Sequence, residues 1–186
     1  MRRLLPFTLV FFACTTEPQE GCGKGFTEIN SQCYHEGDLR ILQKFIDNSN
    51  GSITATLDAD SSDSIEPLEL QIQKWNEQGR LHYLWLYDRS LSGAIPDSIG
   101  ELTFLDTLNL SFNSLSGSIP QSIGNLKNLN WLYIYVNELS GLIPDSLCTI
   151  YSNLDHFQMF QNNLCPPYPA CIPEEKIGPQ ITADCN

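Results

Sequence analysis

The sequence predicts an α/β solenoid, with about four right-handed coils stacked in register around a parallel concave sheet and a cap at each end. Three observations predict this fold class. The pattern LSGxIP begins at Leu91, Leu115 and Leu139, so that successive copies start 24 residues apart. Leucine-type residues recur upstream of each copy with nearly the same period, and so do asparagines such as Asn113 and Asn137. Self-similarity at a fixed period of this size is typical of stacked repeats.

Two apolar columns define the short strand that each coil contributes to the sheet. Side chains alternate between the two faces of a strand, so the columns point inward and the residues between them point outward. One coil cannot bury its apolar edge alone, and stacking buries that edge against the next coil. The columns are Leu84, Leu108, Leu132 and Phe157, and then Leu86, Leu110, Ile134 and Met159.

Special residues predict how the chain leaves each strand. The asparagine side chain can satisfy backbone groups that a bend leaves unpaired, at Asn113, Asn137 and Asn162. The glycine of LSGxIP suits a backbone conformation that other residues avoid. The proline fixes the chain for its return along the convex side. The same letters therefore recur because each coil must stack on its predecessor in register.

The repeat resembles the plant-type leucine-rich repeat, LSGxIPxxIGxLxxL, most closely in LSGSIPQSIGNLKNL from Leu115. Plant receptor-kinase ectodomains and polygalacturonase-inhibiting proteins carry this repeat, and the resemblance covers about residues 80–165. Arg89 departs from it, because the first coil should have an asparagine there. Together with the start of the chain, the repeats also resemble those of bacterial surface lipoproteins. The resemblance implies ligand binding on the concave face.

An N-terminal cap is expected over residues 22–80, because an open solenoid end would expose apolar edges and unpaired strand groups. The segment CGKGFTEINSQC predicts a small loop or hairpin closed by a Cys22–Cys33 disulfide. A helix follows near residues 38–48, since its apolar residues share one helical face and Asp38 is a favourable N-cap.

A C-terminal cap over residues 166–186 is expected to close the repeats, which span residues 81–165. The prolines of PPYP cannot continue strand pairing. An even number of cysteines in an exported chain suggests disulfides. Cys171 lies almost one coil after Cys148, and adjacent strands would bring the two within disulfide range. The spacing favours Cys148–Cys171 with Cys165–Cys185, and the competing set is Cys165–Cys171 with Cys148–Cys185.

The start of the chain predicts export. Residues 1–13 combine two arginines with an apolar run too short to span a bilayer, as in a secretory signal peptide, although a buried N-terminal strand is an alternative. Cys14 follows FFA, which resembles the lipobox of bacterial lipoproteins, with Phe11 where that motif prefers Leu or Val. The resemblance implies a lipid on Cys14, a tether over residues 14–21 and a location at the bacterial outer membrane or cell surface. Secretion without a lipid is the alternative.

Composition narrows the classes of partner and activity. The chain has 186 residues and a formal net charge of -12, which would repel phosphate backbones and so argues against nucleic acid. The histidines, His35, His82 and His156, stand in no nucleophile or metal motif. We therefore expect neither catalysis nor a cofactor.

Residues 58–69, DADSSDSIEPLE, can be overlaid on a 12-residue calcium loop. Such a loop needs a glycine at its sixth position for a sharp turn, and Asp63 stands there. A solvated acidic turn is therefore the favoured interpretation. The candidate ligands are Asp58, Asp60, Ser62, Ser64 and Glu69.

The solvent-facing strand positions predict the ligand-binding face. Aromatic residues make up 10% of the chain but most of these positions. Aromatics favour strands and stack across a ladder, which is one explanation. Apolar rings grouped on a surface usually mark an interaction site, which is the other. Thr107 and Ser111 complete the face, and its predicted ligand-binding residues are Tyr83, Trp85, Tyr87, Asn109, Trp131, Tyr133, Tyr135, His156, Gln158 and Phe160.

These inferences favour a non-enzymatic extracellular recognition module that binds a glycan, a peptide or a protein on its aromatic concave face. One alternative is a structural or adhesive surface protein without a defined ligand. Another is an inhibitor of a secreted hydrolase, which rests on analogy with the plant proteins alone. Saturable binding to a glycan or surface protein would favour the first function over the second.

Overall fold

A computed structural model of the protein describes residues 21–49, 66–70, 72–181 and 185. The predicted signal peptide, the lipidation site Cys14 and the tether up to residue 20 lie outside these residues. So do the calcium candidates Asp58, Asp60, Ser62 and Ser64, which leaves Glu69 as the described member of that set.

The N-terminal segment is a hairpin followed by a helix. Strands β1 (Phe26–Ile29) and β2 (Gln32–His35) pair antiparallel, with Phe26 opposite His35, and a Cys22–Cys33 disulfide closes the hairpin. Helix α1 spans Glu36–Asn48.

The helix begins two residues earlier than predicted, and its N-cap is His35 rather than Asp38. The His35 ring accepts a hydrogen bond from the Asp38 backbone N–H (3.3 Å). The Asp38 carboxylate does not cap the helix because it binds the first coil instead. It accepts hydrogen bonds from Arg80 Nε and Nη2 and from the Leu81 N–H, each at 2.9 Å. The two hydrogen bonds from Arg80 make this a bidentate pair, which adds both energy and geometric specificity.

The concave sheet has five strands in the described residues, in the order β10-β8-β6-β4-β3. The four that belong to the repeats are parallel, as predicted: β4 (Leu81–Trp85), β6 (Thr107–Asn109), β8 (Trp131–Tyr133) and β10 (His156–Gln158). The fifth, β3 (Ile72–Trp75), runs antiparallel to β4 and was not predicted.

A tight turn joins β3 to β4. The Asn76 side chain accepts hydrogen bonds from the Gln78 and Arg80 N–H groups, both at 3.0 Å. Gly79 has a φ of +66°, and a Cβ atom there would lie 2.2 Å from the carbonyl oxygen of Cys33. A glycine is therefore required where this turn passes over the N-terminal hairpin.

The LSGxIP segments form a second parallel sheet, whereas only a return of the chain along the convex side was predicted for them. Its glycines have φ values of 70°, 74° and 77° at positions 93, 117 and 141, which explains why glycine recurs. The prolines at 96, 120 and 144 each precede a 3₁₀ helix (Asp97–Glu101, Gln121–Asn125 and Asp145–Leu147). The strands are β5 (Ser92–Ala94), β7 (Ser114–Gly117), β9 (Glu138–Leu142) and β11 (Asn163–Cys165), in the order β11-β9-β7-β5.

One continuous apolar core runs between the two sheets and contains both predicted columns except Phe157, which is partly buried and packs against it. Helix α1 adds Ile41, Leu42 and Phe45 to the same core. It is also tied to the first coil by polar contacts, since Asn48 Nδ2 donates to the Ala94 carbonyl (2.8 Å) and Lys44 donates to Ser98 Oγ (2.9 Å).

The recurring asparagines satisfy backbone groups at the bends, as predicted, and they also form a ladder of hydrogen bonds between coils, which was not predicted. Asn113 Oδ1 accepts from the Arg89 and Leu91 N–H groups of the preceding coil, both at 3.0 Å. Its Nδ2 donates to the carbonyls of Leu86 (2.8 Å) and Leu110 (2.9 Å). The buried side chains of Asn137 and Asn162 repeat this arrangement.

The C-terminal tail supplies the next rung of this ladder through Gln180. Its Oε1 accepts from the Leu164 N–H (3.4 Å), and its Nε2 donates to the carbonyls of Met159 (3.1 Å) and Ile177 (3.2 Å). The tail therefore lies where another coil would stack. It includes α3 (Glu174–Ile177), while the short α2 (Cys148–Tyr151) precedes the last coil.

Disulfides hold this tail in the pairing that the spacing favoured. Cys148 pairs with Cys171, with Cα atoms 5.7 Å apart, and Cys165 pairs with Cys185. Among the residues that the structure describes, no helix combines the length and the apolar character needed to cross a membrane.

Candidate functional site

Three columns of side chains, here called the concave face, line the solvent side of strands β4, β6, β8 and β10. The backbone register sets the first two columns, with Tyr83 beside Thr107 and Trp131, and Trp85 beside Asn109 and Tyr133. The columns read Tyr83, Thr107, Trp131 and His156; Trp85, Asn109, Tyr133 and Gln158; and Tyr87, Ser111, Tyr135 and Phe160.

The aromatic side chains of the concave face form one connected cluster. Trp131 lies on the His156 ring (centroids 3.7 Å apart) and meets Tyr133 edge to face (5.8 Å). Tyr133 contacts Trp85 (6.4 Å) across the strand between them, and Tyr135 (6.0 Å) along its own strand. Tyr83–Trp85 (6.0 Å) and Tyr135–Phe160 (4.7 Å) extend the cluster at either end.

The middle strand of the concave face carries small side chains, and these are buried rather than available to a ligand. Thr107, Asn109 and Ser111 were predicted to face solvent, but Asn109 is 1% exposed and the other two are also buried. The Asn109 Oδ1 accepts from the Ser111 N–H (2.9 Å). The prediction that Asn109 faces solvent is therefore wrong, because it lies between the larger residues Trp85 and Tyr133 of the neighbouring strands and is buried.

Phe112 belongs to the aromatic cluster, although it was not among the predicted residues of the concave face. Its ring lies between Tyr87 (5.0 Å) and Tyr135 (5.5 Å), and it is 42% exposed. Its φ is +57°, and Asp88 and Val136 at the matching positions of the adjacent coils are also in the left-handed region. This conformation carries Phe112 out of the strand alternation, so a period-two pattern could not place it on this face.

Strand β3 widens the concave face by two more side chains that were not predicted. Ile72 pairs with Trp85 and Lys74 pairs with Tyr83 in the antiparallel register, so both point to the same side as their partners. Ile72 is exposed, and the Lys74 ammonium lies 4.8 Å from the centroid of the Tyr83 ring.

Tyr135 lies at the centre of the cluster, and its surroundings perturb its hydroxyl. Burial raises the pKa of Tyr135 above its usual value of 10.0, and the phenolate charges of Tyr87 and Tyr133 raise it further. The neighbouring Ser111 side chain acts in the opposite direction. Tyr135 therefore remains a neutral hydroxyl throughout the physiological range of pH, able to donate and to accept hydrogen bonds.

A polar row borders the first column of the concave face. Thr107 Oγ1 donates to Asp106 Oδ1 (2.8 Å), and Asn130 Nδ2 donates to Asp106 Oδ2 (2.5 Å). Asp155 precedes His156 and is exposed, as is Gln158 in the second column. The rings are thus bordered by oxygen acceptors.

The described residues offer no group of three or more His, Cys, Asp or Glu side chains that could hold a metal ion. Glu69, the described member of the calcium candidates, has a local role. Its carboxylate accepts a hydrogen bond from the Glu66 N–H (2.9 Å) at the start of the 3₁₀ helix Pro67–Glu69.

Comparisons with known proteins identify the repeat and the fold. The family model "Leucine Rich Repeat" matches residues 104–126 and 128–150. A search of curated proteins found no match. The LRR ectodomain of the receptor kinase SOBIR1 from Arabidopsis thaliana is 26% identical, over 70% of each chain, with a TM-score of 0.53.

Other plant receptor structures are also similar to this chain. A chain of the BIR3–SERK2 complex from Arabidopsis thaliana is 23% identical over 76% of this chain and 92% of its own length, with a TM-score of 0.50, a likeness that shows the fold alone. The ectodomain of the plant membrane receptor kinase GASSHO1/SCHENGEN3, also from Arabidopsis thaliana, is 40% identical over 45% of this chain, with a TM-score of 0.43. The chain spans only 10% of that ectodomain. The protein thus has the parallel-sheet solenoid fold of leucine-rich-repeat ectodomains.

Proposed function

We propose that the protein is a non-enzymatic recognition module that works outside the cell and binds its ligand on the concave face. The observation that carries this proposal is the connected aromatic cluster, which extends from Tyr83 on the first coil to Phe160 on the last. Tyr and Trp are typical binding anchors, because they supply large contact areas with few rotatable bonds.

Stacking between strands explains part of this cluster but not all of it. Cross-strand stacking would bury the rings against each other, whereas Trp85, Trp131, Tyr133 and Tyr135 remain partly exposed. Phe112 is not a strand residue and yet joins the same cluster, with much of its ring in solvent. Contiguous exposed rings of this kind mark interaction sites on soluble proteins.

The fold supports the same proposal. The SOBIR1 ectodomain, which shares the fold over most of both chains, belongs to a receptor kinase. By analogy, the present chain would act as the ligand-recognising part of a surface protein. Fold analogy is weak evidence for function, so the assignment depends on the concave face itself.

The size of the concave face favours a peptide or a glycan as ligand. Five strands about 4.8 Å apart and three columns over about 14 Å give roughly 300 Å². A standard protein interface uses about 800 Å² per partner. A protein ligand would therefore have to reach the rims as well.

Three disulfides support a location outside the reducing cytosol. We extend the proposal to a signal peptide over residues 1–13 and a lipid on Cys14, with the protein on the bacterial surface. Replacing Cys14 with serine should release the protein from membranes. A wild-type protein that partitions into the aqueous phase of a detergent extraction would contradict this part of the proposal.

The proposed function can be tested by screening the soluble domain against arrays of glycans and of extracellular peptides and proteins. A triple variant with Trp85→Ala, Trp131→Ala and Tyr133→Ala should lose any saturable binding. Trp75→Ala is the matched control, because Trp75 is partly buried on the opposite side of β3 and contacts Tyr34 (5.0 Å). Retained binding in the folded triple variant would contradict the assignment of the concave face. If the domain bound nothing on any array, a structural surface protein without a defined ligand would be favoured.

A further inference from the structure

The concave face already holds one positive charge of the protein itself. Lys74 projects from β3 beside Tyr83, and its ammonium lies 4.8 Å from the centroid of that ring. This distance is within the range of a cation–π interaction, in which a cation is attracted to the negative face of an aromatic ring. The rings of this face therefore suit ammonium and guanidinium groups, and Lys74 shows the geometry.

The rims of the concave face favour positive charge as well. One rim is the row before the first column and the other is the row after the third. Aspartates stand in both rows, and lysine and arginine in neither. Arg89 follows one rim aspartate, and its Nη1 donates to the carbonyl of Asp88 (3.1 Å). The rows are His82, Asp106, Asn130 and Asp155, and Asp88, Phe112, Val136 and Gln161.

The net negative charge of the whole chain also favours a positively charged ligand. The formal net charge is -12, so within about a Debye length of its surface the protein attracts cationic ligands and repels anionic ones. A concave surface with electron-rich rings, acidic rims and an acidic background is complementary to a positively charged ligand. An uncharged glycan would make no use of these charges.

We infer that the concave face binds an extended peptide segment that carries lysine or arginine side chains, with the cations over the rings and within reach of the rim aspartates. This inference rests on the proposed function and names its ligand class. The four parallel strands span about 15 Å, which matches about five residues of extended chain. The Lys74 ammonium occupies the Tyr83 ring, where a cation of the peptide would otherwise bind.

The test compares two synthetic peptides of about six residues, one alternating glycine with lysine and the other alternating glycine with glutamine. Titration calorimetry on the soluble domain should show that the lysine peptide binds about tenfold more tightly or better, because each cation–π contact or exposed ion pair contributes up to about a fivefold gain. Added salt should weaken the binding of the lysine peptide.

Lys74→Gln is the decisive variant, because it vacates the Tyr83 ring and removes a repelling charge. The affinity for the lysine peptide should rise about two- to fivefold, while Asp155→Asn should lower it by a similar factor. Lys127→Gln is the matched control: it makes the same change of net charge, but Lys127 donates to Thr149 Oγ1 (2.9 Å), away from the concave face.

The outcomes separate this inference from the proposed function. Equal affinity for the two peptides, binding of neither peptide, or equal effects of Lys74→Gln and Lys127→Gln would overturn the cationic ligand. If a neutral ligand found on the arrays lost its binding in the triple aromatic variant, the proposed function would stand and this inference would fall. Lysine-peptide binding that survives the triple variant would place the interaction elsewhere and contradict both.

Discussion

Replacing Asn137 with alanine should lower the free energy of unfolding by about 2–4 kcal/mol, because this side chain joins two coils from a buried position. Its Oδ1 accepts from the Leu115 N–H (3.0 Å). Its Nδ2 donates to the carbonyls of Leu110 (3.0 Å) and Ile134 (3.2 Å). Alanine keeps none of these hydrogen bonds.

The magnitude follows from how the ladder shares its acceptors. The Leu110 carbonyl keeps a hydrogen bond from Asn113 Nδ2 (2.9 Å), and the Ile134 carbonyl keeps one from Asn162 Nδ2 (3.0 Å). Because each carbonyl keeps one donor, these two losses cost about 0.5 kcal/mol each, at the low end for a hydrogen bond. The Leu115 N–H loses its side-chain acceptor inside the protein, and an unsatisfied buried donor costs about 1–3 kcal/mol.

Urea unfolding of the wild type and two variants measures the effect. Asn128→Ala is the matched control, since this exposed asparagine makes a single hydrogen bond, from Nδ2 to the Thr103 carbonyl (2.7 Å), and should cost at most about 1 kcal/mol. For a chain of this size Asn137→Ala should lower the midpoint of thermal unfolding by about 5–15 °C. If the two variants differ by less than about 0.5 kcal/mol, the ladder does not stabilise the solenoid as argued.

Three further predictions concern the two ends and the concave face. Asp38→Ala should destabilise the protein by about 3–5 kcal/mol in urea unfolding, because it leaves the Arg80 guanidinium, which is 16% exposed, without its carboxylate; a loss below about 1 kcal/mol would contradict this. Gln180→Ala should speed hydrogen exchange at the Leu164 amide while exchange in the central coils stays unchanged. Tyr135 has a raised pKa in the folded state, so its stabilising contribution should be complete below about pH 10 and decline as the pH rises through the folded value. Compared with the wild type in an ultraviolet pH titration, Tyr135→Phe should lack a phenol that ionises at higher pH than most. If the missing phenol ionises near pH 10 instead, the raised pKa is contradicted.

The repeat could be read from the sequence because each of its positions has one strong local requirement. The glycines need positive φ, the prolines precede 3₁₀ helices, and the asparagines satisfy backbone groups of the coil before them. The same period predicted the Cys148–Cys171 disulfide, since Cys171 lies almost one coil after Cys148. If one repeat had been aligned wrongly on the next, the glycines, prolines, asparagines and cysteines would all have fallen out of step.

Features that depend on tertiary contact were not predictable in the same way. The Asp38 carboxylate looked like a helix cap until its long-range partner, Arg80, was known. Strand β3 depends on a turn over the N-terminal hairpin, where Gly79 meets Cys33. The second sheet escaped notice because its Ser and Gly residues show no alternation of apolar and polar side chains.

The burial of Asn109 shows why alternation alone cannot define a binding surface. Alternation gives the direction of a side chain, but exposure also depends on the size of its neighbours. Strands about 4.8 Å apart cannot all carry large rings at one level, and here the middle strand carries Thr107, Asn109 and Ser111 while the strands on both sides carry rings.

The small middle strand connects the two explanations of the aromatic residues. Because it leaves space, Trp85 and Tyr133 can meet across it, with centroids 6.4 Å apart. Stacking of the rings on each other then holds them in place before any ligand arrives, which reduces the entropy lost on binding. Stacking and recognition are therefore compatible functions of one cluster. A larger residue at Asn109 should separate the rings and weaken binding, although Asn109 itself would not touch the ligand.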